Sequence, residues 1–351
     1  MARIPVGLVG VTGYAGMELV RLLAGHPELE LVMATSRQHA GTPLGRLYPF
    51  VHGRPEADIV VQAPDTDALR QACRVVFLAV PHGAAMDLSA ALIEAGSKVV
   101  DLSADFRLRD PEVYQSWYGL SHRQTDLLHE AVYGLPELYG ETVTPQTRLV
   151  ANPGCYPSGI ILGLVPALFH NFIDRRHIVA DAKSGATGAG RKAATGTLYS
   201  EVSDTLRAYS LGAHRHTPEI EQELAVAAGD AVTISFSPHL VPMNRGILAT
   251  CYGNMKQPLS LEEIHTAYTA YYQTAPWVRV LPLGTLPETR WVRGTMLCDI
   301  GLVVDRRTDR LLVVTAVDNL CRGASGQAIA NANRMLGLAP TAGLELSPLM
   351  P

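Results

Sequence analysis

Three groups of residues in this chain have the types and spacing for chemistry. The first is Ala151-Asn152-Pro153-Gly154-Cys155-Tyr156-Pro157-Ser158-Gly159, which sets a cysteine at the tip of a Pro/Gly turn. An apolar, helix-like run from Gly159 to Phe169 follows at once. A side chain so placed is aimed at the first turn of a helix, where unpaired N–H groups and the dipole favour an anion. A thiol there ionises more easily, and the thiolate is the nucleophile. A buried structural cysteine is the alternative, because free Cys packs as a small hydrophobe.

The second group is His214-Arg215-His216-Thr217-Pro218-Glu219, ahead of a charged helix expected over Ile220 to Ala228. His-x-His can chelate, but no Cys or carboxylate at ligand spacing completes a metal site. A histidine at a loop–helix junction exchanges protons near neutral pH, and a nucleophile elsewhere in the chain needs such a base. A solvated loop is the bland alternative. The third group is Lys183-Ser184-Gly185-Ala186-Thr187-Gly188-Ala189-Gly190-Arg191-Lys192. As a Walker A loop it fails, since Arg191 and Lys192 stand where Lys and Ser/Thr are required. Its amides, hydroxyls and Arg191 can still hold an anionic group, with a flexible loop as the other reading.

The elements that would position these groups begin at the N-terminus. Ile4 to Val11 reads as a strand buried on both faces, and Tyr14 to Ala24 as a helix. Between them lies Gly10-Val11-Thr12-Gly13-Tyr14-Ala15-Gly16. Glycines at a strand–helix turn let backbone N–H groups approach a pyrophosphate at the helix N-terminus. The spacing is G-x-x-G-x-x-G, so the position after the first strand carries the argument. A 2′-hydroxyl site would put Asp or Glu about 20 residues beyond the glycines. The tip of the second strand, Leu29 to Thr35, instead continues into Ser36 and Arg37, which can donate to a 2′-phosphate. NADP(H) is therefore expected over NAD(H).

Val75 to Val80, Lys98 to Leu102 and Arg148 to Ala151 are further strands, Ala84 to Ala95 is a helix, and 103–148 reads as loops and short helices. Alternation of this kind predicts a doubly wound parallel sheet. Beyond the cysteine the rhythm changes. His177 to Lys183, Val232 to Val241, Gly246 to Met255, Val278 to Pro282, Thr295 to Val304 and Arg310 to Val317 read as strands. Leu261 to Gln273 is the one clear helix among them. Strands in a run predict an α+β domain with a mixed or antiparallel sheet. A last helix, Ser325 to Met335, is rich in Ala and Asn.

The 351 residues favour two domains. A net charge of −4 and the absence of a Lys/Arg run leave no electrostatic footprint for nucleic acid. The cysteines, Cys73, Cys155, Cys251, Cys298 and Cys321, are scattered and odd in number, which speaks against a disulfide framework and for a reducing compartment. Met-Ala-Arg-Ile-Pro-Val-Gly has no signal-peptide pattern, and no apolar run spans a bilayer. A cytoplasmic location is expected.

Together these pieces resemble the N-acetyl-gamma-glutamyl-phosphate reductase family of arginine biosynthesis. The matching stretches are Gly10–Gly16, Phe77-Leu-Ala-Val-Pro-His-Gly83, Asp101-Leu-Ser-Ala-Asp-Phe-Arg107, Asn152–Pro157, Ser184–Arg191, His214–Glu219 and Asp318–Gln327. Arg322 replaces the family's more common Lys and Thr187 its more common Ser. The resemblance implies a Rossmann-type NADP-binding domain over 1–152, joined again by 325–351, and an α+β catalytic and dimerisation domain over 153–324. It implies that Cys155 attacks an acyl phosphate, and that hydride from NADPH reduces the thioester to N-acetyl-glutamate semialdehyde. His216 is the implied base, with His214 second. Asn152, Ser184, Gly185, Arg191 and Glu219 fall on the substrate side, and Pro81, Gly323 and Gln327 on the cofactor side. The layout is similar to aspartate-semialdehyde and glyceraldehyde-phosphate dehydrogenases, and a homodimer or homotetramer is implied. A reductase of carrier-protein-linked aminoadipyl phosphate in lysine biosynthesis shares this chemistry. A non-catalytic nucleotide sensor is the alternative of another class, since a Rossmann fold alone does not establish catalysis.

Overall fold

Strand β1 (Ile4–Val9) is buried over its last four residues, and β3 (Val75–Leu78) over its whole length. Strands so apolar belong inside a parallel sheet covered on both faces. With β2 (Leu29–Thr35), β4 (Lys98–Asp101), β5 (Val132–Tyr133) and β6 (Leu149–Ala151) they form a six-stranded sheet in the order β2-β1-β3-β4-β6-β5. Every pairing in it is parallel. The order reverses between β1 and β3, the switch point at which such sheets bind ligands beyond the strands' carboxyl ends. The computed structural model describes residues 3–350. Met1 and Ala2, within the start expected to lack a signal peptide, and Pro351, within the range 325–351, lie outside the described residues.

By its internal contacts the chain divides into two units, one running through Pro153 and resuming over Ala324–Leu346, the other spanning Gly154–Gly323 and the chain end from Ser347. In the first unit, the helices Tyr14–Leu23, Thr66–Ala72 and Ala85–Glu94 cross over between strands. A core of Val9, Leu69, Val76, Leu78, Leu92, Val99 and Leu149 lies beneath them. The last helix, Gly326–Met335, is buried along its length except at Arg334. Its asparagines can sit inside because each finds carbonyl partners. Asn331 donates to Gly134 O at 2.8 Å, and Asn333 to Pro340 O and Ala342 O at 3.2 and 3.0 Å. The end of the expected 325–351 segment departs from this unit. From Ser347 it runs with the second one, where Leu349 N–H donates to Arg293 O at 2.9 Å.

The second unit holds a seven-stranded sheet of β7 (Ile178–Gly185), β8 (Arg207–Ala208), β9 (Ile234–Val241), β10 (Ile247–Asn254), β11 (Val278–Val280), β12 (Cys298–Asp305) and β13 (Arg310–Val317). The order is β11-β12-β13-β10-β7-β9-β8. It is mixed, because β7/β9 and β11/β12 pair in parallel and the remaining neighbours antiparallel. Burial alternates along β7, β9 and β10, so one face of the sheet is covered. The helix Cys155–Phe169 covers it and is buried from Tyr156 through Leu168. Gly163 permits this closeness, since a Cβ there would stand 2.6 Å from Thr315 Cγ2. Pro166 removes the N–H that would bond Leu162 O. The Tyr272 hydroxyl, from the helix Leu261–Tyr271 and its C-cap, donates to that carbonyl at 2.5 Å instead. Among the described residues no helix is long and apolar enough to cross a membrane.

Candidate active site

Cys155 is the first residue of its helix, four positions earlier than the sequence pattern placed the start. Gly154, extended at φ −69° and ψ 156°, is the N-cap. Pro157 fits in the first turn because the N–H it lacks has no intrahelical partner there. Cys155 is half-buried, whereas Cys73, Cys251, Cys298 and Cys321 are buried. Burial pushes the thiols of Cys73 and Cys251 up to about 12, which leaves them inert.

The residues on either side of Cys155 are held by the histidine segment. The Gly154 N–H donates to Glu219 Oε1 at 2.7 Å, and Glu219, 1% exposed, lies in the first turn of the helix Thr217–Ala228. The Tyr156 ring packs edge-on against His214 and His216, with centroids 5.6 and 6.1 Å away. Folding thus brings both histidines to the cysteine turn. They differ in environment. His214 is enclosed by Tyr156, Tyr209, Phe236 and His216 at centroid distances of 5.6, 5.6, 5.1 and 4.8 Å. Burial, and then the Arg215 charge, lower its pKa to about 4. Its Nδ1 accepts the His216 N–H at 3.1 Å, so the neutral ring carries its proton on Nε2. His216 is the N-cap of the helix Thr217–Ala228. The aromatic enclosure escaped the sequence reading. Tyr156 stood inside the cysteine motif without a role, and no local signal marks Tyr209, whose hydroxyl lies 2.9 Å from that of Tyr156.

Other expected site residues are tied into the fold. Asn152 is fully buried and all its polar groups are used inside the first unit. Its N–H donates to Asp101 O at 2.8 Å and its carbonyl accepts from Arg107 Nε at 2.8 Å. Its amide donates to Ala324 O at 3.0 Å and accepts from Asn331 at 3.2 Å. Glu219 likewise works on Gly154. The glycine-rich stretch after β7 is not an open cradle. The N–H groups of Gly185, Ala186, Thr187 and Gly190 donate to the carbonyls of Gly246, Met243, Asn244 and Thr187 at 2.8 to 3.2 Å. Ser184 is buried and its hydroxyl donates to Gly185 O at 3.0 Å, while Arg191 is exposed. Gly323 backs Cys155, since a Cβ there would stand 2.7 Å from Cys155 Cβ and 2.9 Å from its Cα. Its N–H donates to Asp318 O at 2.9 Å. The buried Asp318 carboxylate holds this turn. It accepts from the N–H groups of Leu320, Cys321 and Gly294 at 2.9, 2.7 and 2.7 Å, and from Arg245 Nε and Nη2 at 2.9 and 2.8 Å.

In the first unit the glycine turn stands at the switch point. Gly10 has φ +90°, and a Cβ there would meet Ala79 O at 2.2 Å, at the exit of β3. A Cβ on Gly16 would meet Gly10 O at 2.4 Å. Gly13 caps the helix Tyr14–Leu23 without a side-chain hydrogen bond, so Tyr14, Ala15 and Gly16 present first-turn amides beside the half-buried Thr12. Such a side-chain-free helix start fits a pyrophosphate. Gly10 and Val11 N–H both donate to Thr35 O at 3.1 Å, which sets Ser36 and the exposed Arg37 at the same edge. Pro81 is exposed in the loop leaving β3. Gln327 is buried in the last helix, where neighbouring Ser325 donates to Ala15 O at 2.8 Å. Among the described residues no group of three or more His, Cys, Asp or Glu is placed to hold a metal ion.

Residues 5–145 match the family described as semialdehyde dehydrogenase, NAD binding domain, and residues 155–319 the one described as semialdehyde dehydrogenase, dimerisation domain. The N-acetyl-gamma-glutamyl-phosphate reductase of Desulforamulus reducens is 47% identical over 348 residues, 99% of this chain and 100% of that protein. The protein of the same name from Halorhodospira halophila is 51% identical over 343 residues, 97% of this chain and 98% of its own. Among solved structures, aspartate semialdehyde dehydrogenase II of Vibrio cholerae superposes with a TM-score of 0.72 at 15% identity, covering 95% of this chain and 99% of that one. Aspartate semialdehyde dehydrogenase of Candida albicans, solved with NADP, gives 0.67 at 19% identity, covering 97% and 99%. At such identities these two structures establish the fold.

Proposed function

Because this chain belongs to the N-acetyl-gamma-glutamyl-phosphate reductase family, we propose that Cys155 is its nucleophile and His216 its acid–base residue. The reaction is the NADPH-dependent reduction of N-acetyl-gamma-glutamyl phosphate to N-acetyl-glutamate semialdehyde and phosphate through a cysteine thioester. The observation that carries the residue assignment is the convergence of the histidine segment on the cysteine turn, through Glu219 on Gly154 and both imidazoles against Tyr156.

The Cys155 thiolate, favoured at a helix N-terminus, attacks the acyl carbon. A C–S bond forms, the C–O bond to phosphate breaks, and phosphate leaves. The glycine turn, with Ser36 and Arg37 toward a 2′-phosphate, would hold NADPH, which supplies the hydride when bound. The resulting thiohemiacetal alkoxide on Cys155 is stabilised by N–H groups of the helix start, then collapses to aldehyde and thiolate. His214 stays neutral above about pH 4 with Nδ1 engaged, which leaves proton exchange to His216. We assign the exposed Arg191 to the substrate's anionic groups, with Glu219 holding the Gly154 backbone and Asn152 the backbone of Asp101 and Ala324. We assign the enzyme to the cytoplasm, as a homodimer or homotetramer formed through the second unit.

The deciding assay runs in reverse, with phosphate, NADP and N-acetyl-glutamate semialdehyde. Wild type is expected to reduce NADP, and Cys155→Ala to lose turnover while still binding cofactor. Activity retained by Cys155→Ala would refute the covalent route. A signal with an aminoadipate analogue alone would move the substrate to the lysine-type acyl phosphate.

A further inference from the structure

The motif Asp101-Leu-Ser-Ala-Asp-Phe-Arg107 takes no part in the chemistry above, yet Asp101, Ser103, Asp105 and Arg107 are all buried. It leaves the end of β4, the strand between β3 and β6. On the β3 side, Asp105 Oδ1 accepts the Gly83 N–H at 2.6 Å and the Tyr114 hydroxyl at 2.7 Å, and Oδ2 the Ala85 N–H at 3.0 Å. Those amides close the loop that runs from Pro81 into the helix Ala85–Glu94, whose N-cap Ala84 offers no side-chain cap. Asp105 thus caps this helix from the turn after β4, a carboxylate at the positive end of the dipole. Arg123 holds the loop's outer side, donating to Gly83 O at 3.2 Å and to Asp87 at 2.8 Å.

On the β6 side, Arg107 Nε donates to Asn152 O at 2.8 Å and Nη2 to Leu102 O at 2.9 Å. The chain continues from Asn152 through Pro153 and Gly154 to Cys155. Ser103 joins the two arms. Its N–H and hydroxyl donate to the Asp101 carboxylate at 2.8 and 2.7 Å, and its oxygen accepts the Asp105 N–H at 3.1 Å.

We propose that Asp105 and Arg107 are positioning residues for the reduction, Asp105 fixing the cofactor loop Pro81–Ala85 and Arg107 fixing the backbone at Asn152 that leads to Cys155. This rests on the assignment of Pro81 to the cofactor and Cys155 to the nucleophile. A purely structural role would weaken both functions together, whereas two separate arms dissociate them.

The test uses the full chain with Asp105→Asn and Arg107→Lys, followed by NADPH titration, kcat, melting temperature and the rate of iodoacetamide alkylation, which reads Cys155 because the other cysteines are buried. In Asp105→Asn, NADPH should bind roughly tenfold more weakly while alkylation is unchanged, the effect of losing a hydrogen bond to a charged group. Arg107→Lys should leave NADPH affinity unchanged, lower kcat roughly tenfold and alter the alkylation rate. Equal changes of NADPH affinity and alkylation in each variant, or no change in either, would overturn the proposal. If a variant does not fold, Tyr114→Phe removes one donor to Asp105 with the ring retained. It should weaken NADPH binding alone, and unchanged NADPH binding there also overturns the proposal. Wild-type NADPH binding and the inactivity of Cys155→Ala test the underlying assignments separately.

Discussion

Gly323 and Cys155 meet more closely than any side chain would allow. The 2.7 Å available to an added Cβ is well inside carbon–carbon contact. Gly323→Ala must therefore displace Cys155, the proposed nucleophile, or the Asp318 turn behind it. Because small misplacements of reacting groups are costly, kcat should fall on the order of tenfold to a hundredfold. NADPH titration should be unaffected if Gly323 acts through Cys155, and an equal loss of cofactor affinity would instead support the cofactor-side role that the resemblance implies. With its pKa lowered to about 4, His214 does not change charge through neutral pH. An acid limb in kcat/KM between about pH 5 and 8 should accordingly persist in His214→Asn and vanish in His216→Asn. His216→Asn should also cost more activity. The reverse pattern would make His214 the base.

The cysteine helix shows what its own sequence could and could not reveal. Its apolar run was plain, but Pro153, Gly154, Pro157 and Gly159 masked its start, since proline and glycine read as a turn until the first-turn tolerance of proline is applied. Pro166 also resembles a helix stop. What keeps the helix continuous is remote, the Tyr272 hydroxyl on Leu162 O and that of Tyr268 on Gly163 O at 2.8 Å. Tyr272→Phe strands a buried carbonyl and should destabilise the protein by about 1–3 kcal/mol, seen as a lower urea midpoint at unchanged slope. No loss of stability would mean that water or a shifted helix satisfies Leu162. The strands of the second sheet, apart from two-residue β8, were legible as runs rich in apolar and β-branched residues. The last helix was not legible as buried, because the amide N–H groups of its asparagines donate to Gly134, Pro340 and Ala342, partners that no local pattern names. The stretch after β7 misled for the opposite reason. Its glycines suggest free amides, and only the turn around Met243 and Asn244 shows them taken.

Across the molecule, the family was legible in the cysteine and histidine motifs, while the framework that holds them lies in buried polar groups. That framework carries a measurable cost. Asp101 is fully buried, and its pKa is raised to about 7, first by burial and then by Asp105, against the opposing Ser103 hydrogen bonds. In the unfolded chain an aspartate titrates near 3.9. Between about pH 4 and 7 the folded state therefore binds more protons at this site than the unfolded one. The contribution of Asp101 to stability falls as pH rises through that window, and the full cost of a buried carboxylate is present above it. Other carboxylates held ionised in the fold trend the opposite way, so the informative quantity is the difference between wild type and Asp101→Asn. The variant cannot ionise at this position. Its urea midpoint should gain on wild type as pH is raised from about 5 to 8, whatever its offset at the acid end. A wild-type–variant difference that stays constant across that range would show Asp101 to be ionised throughout, with the Ser103 hydrogen bonds outweighing burial.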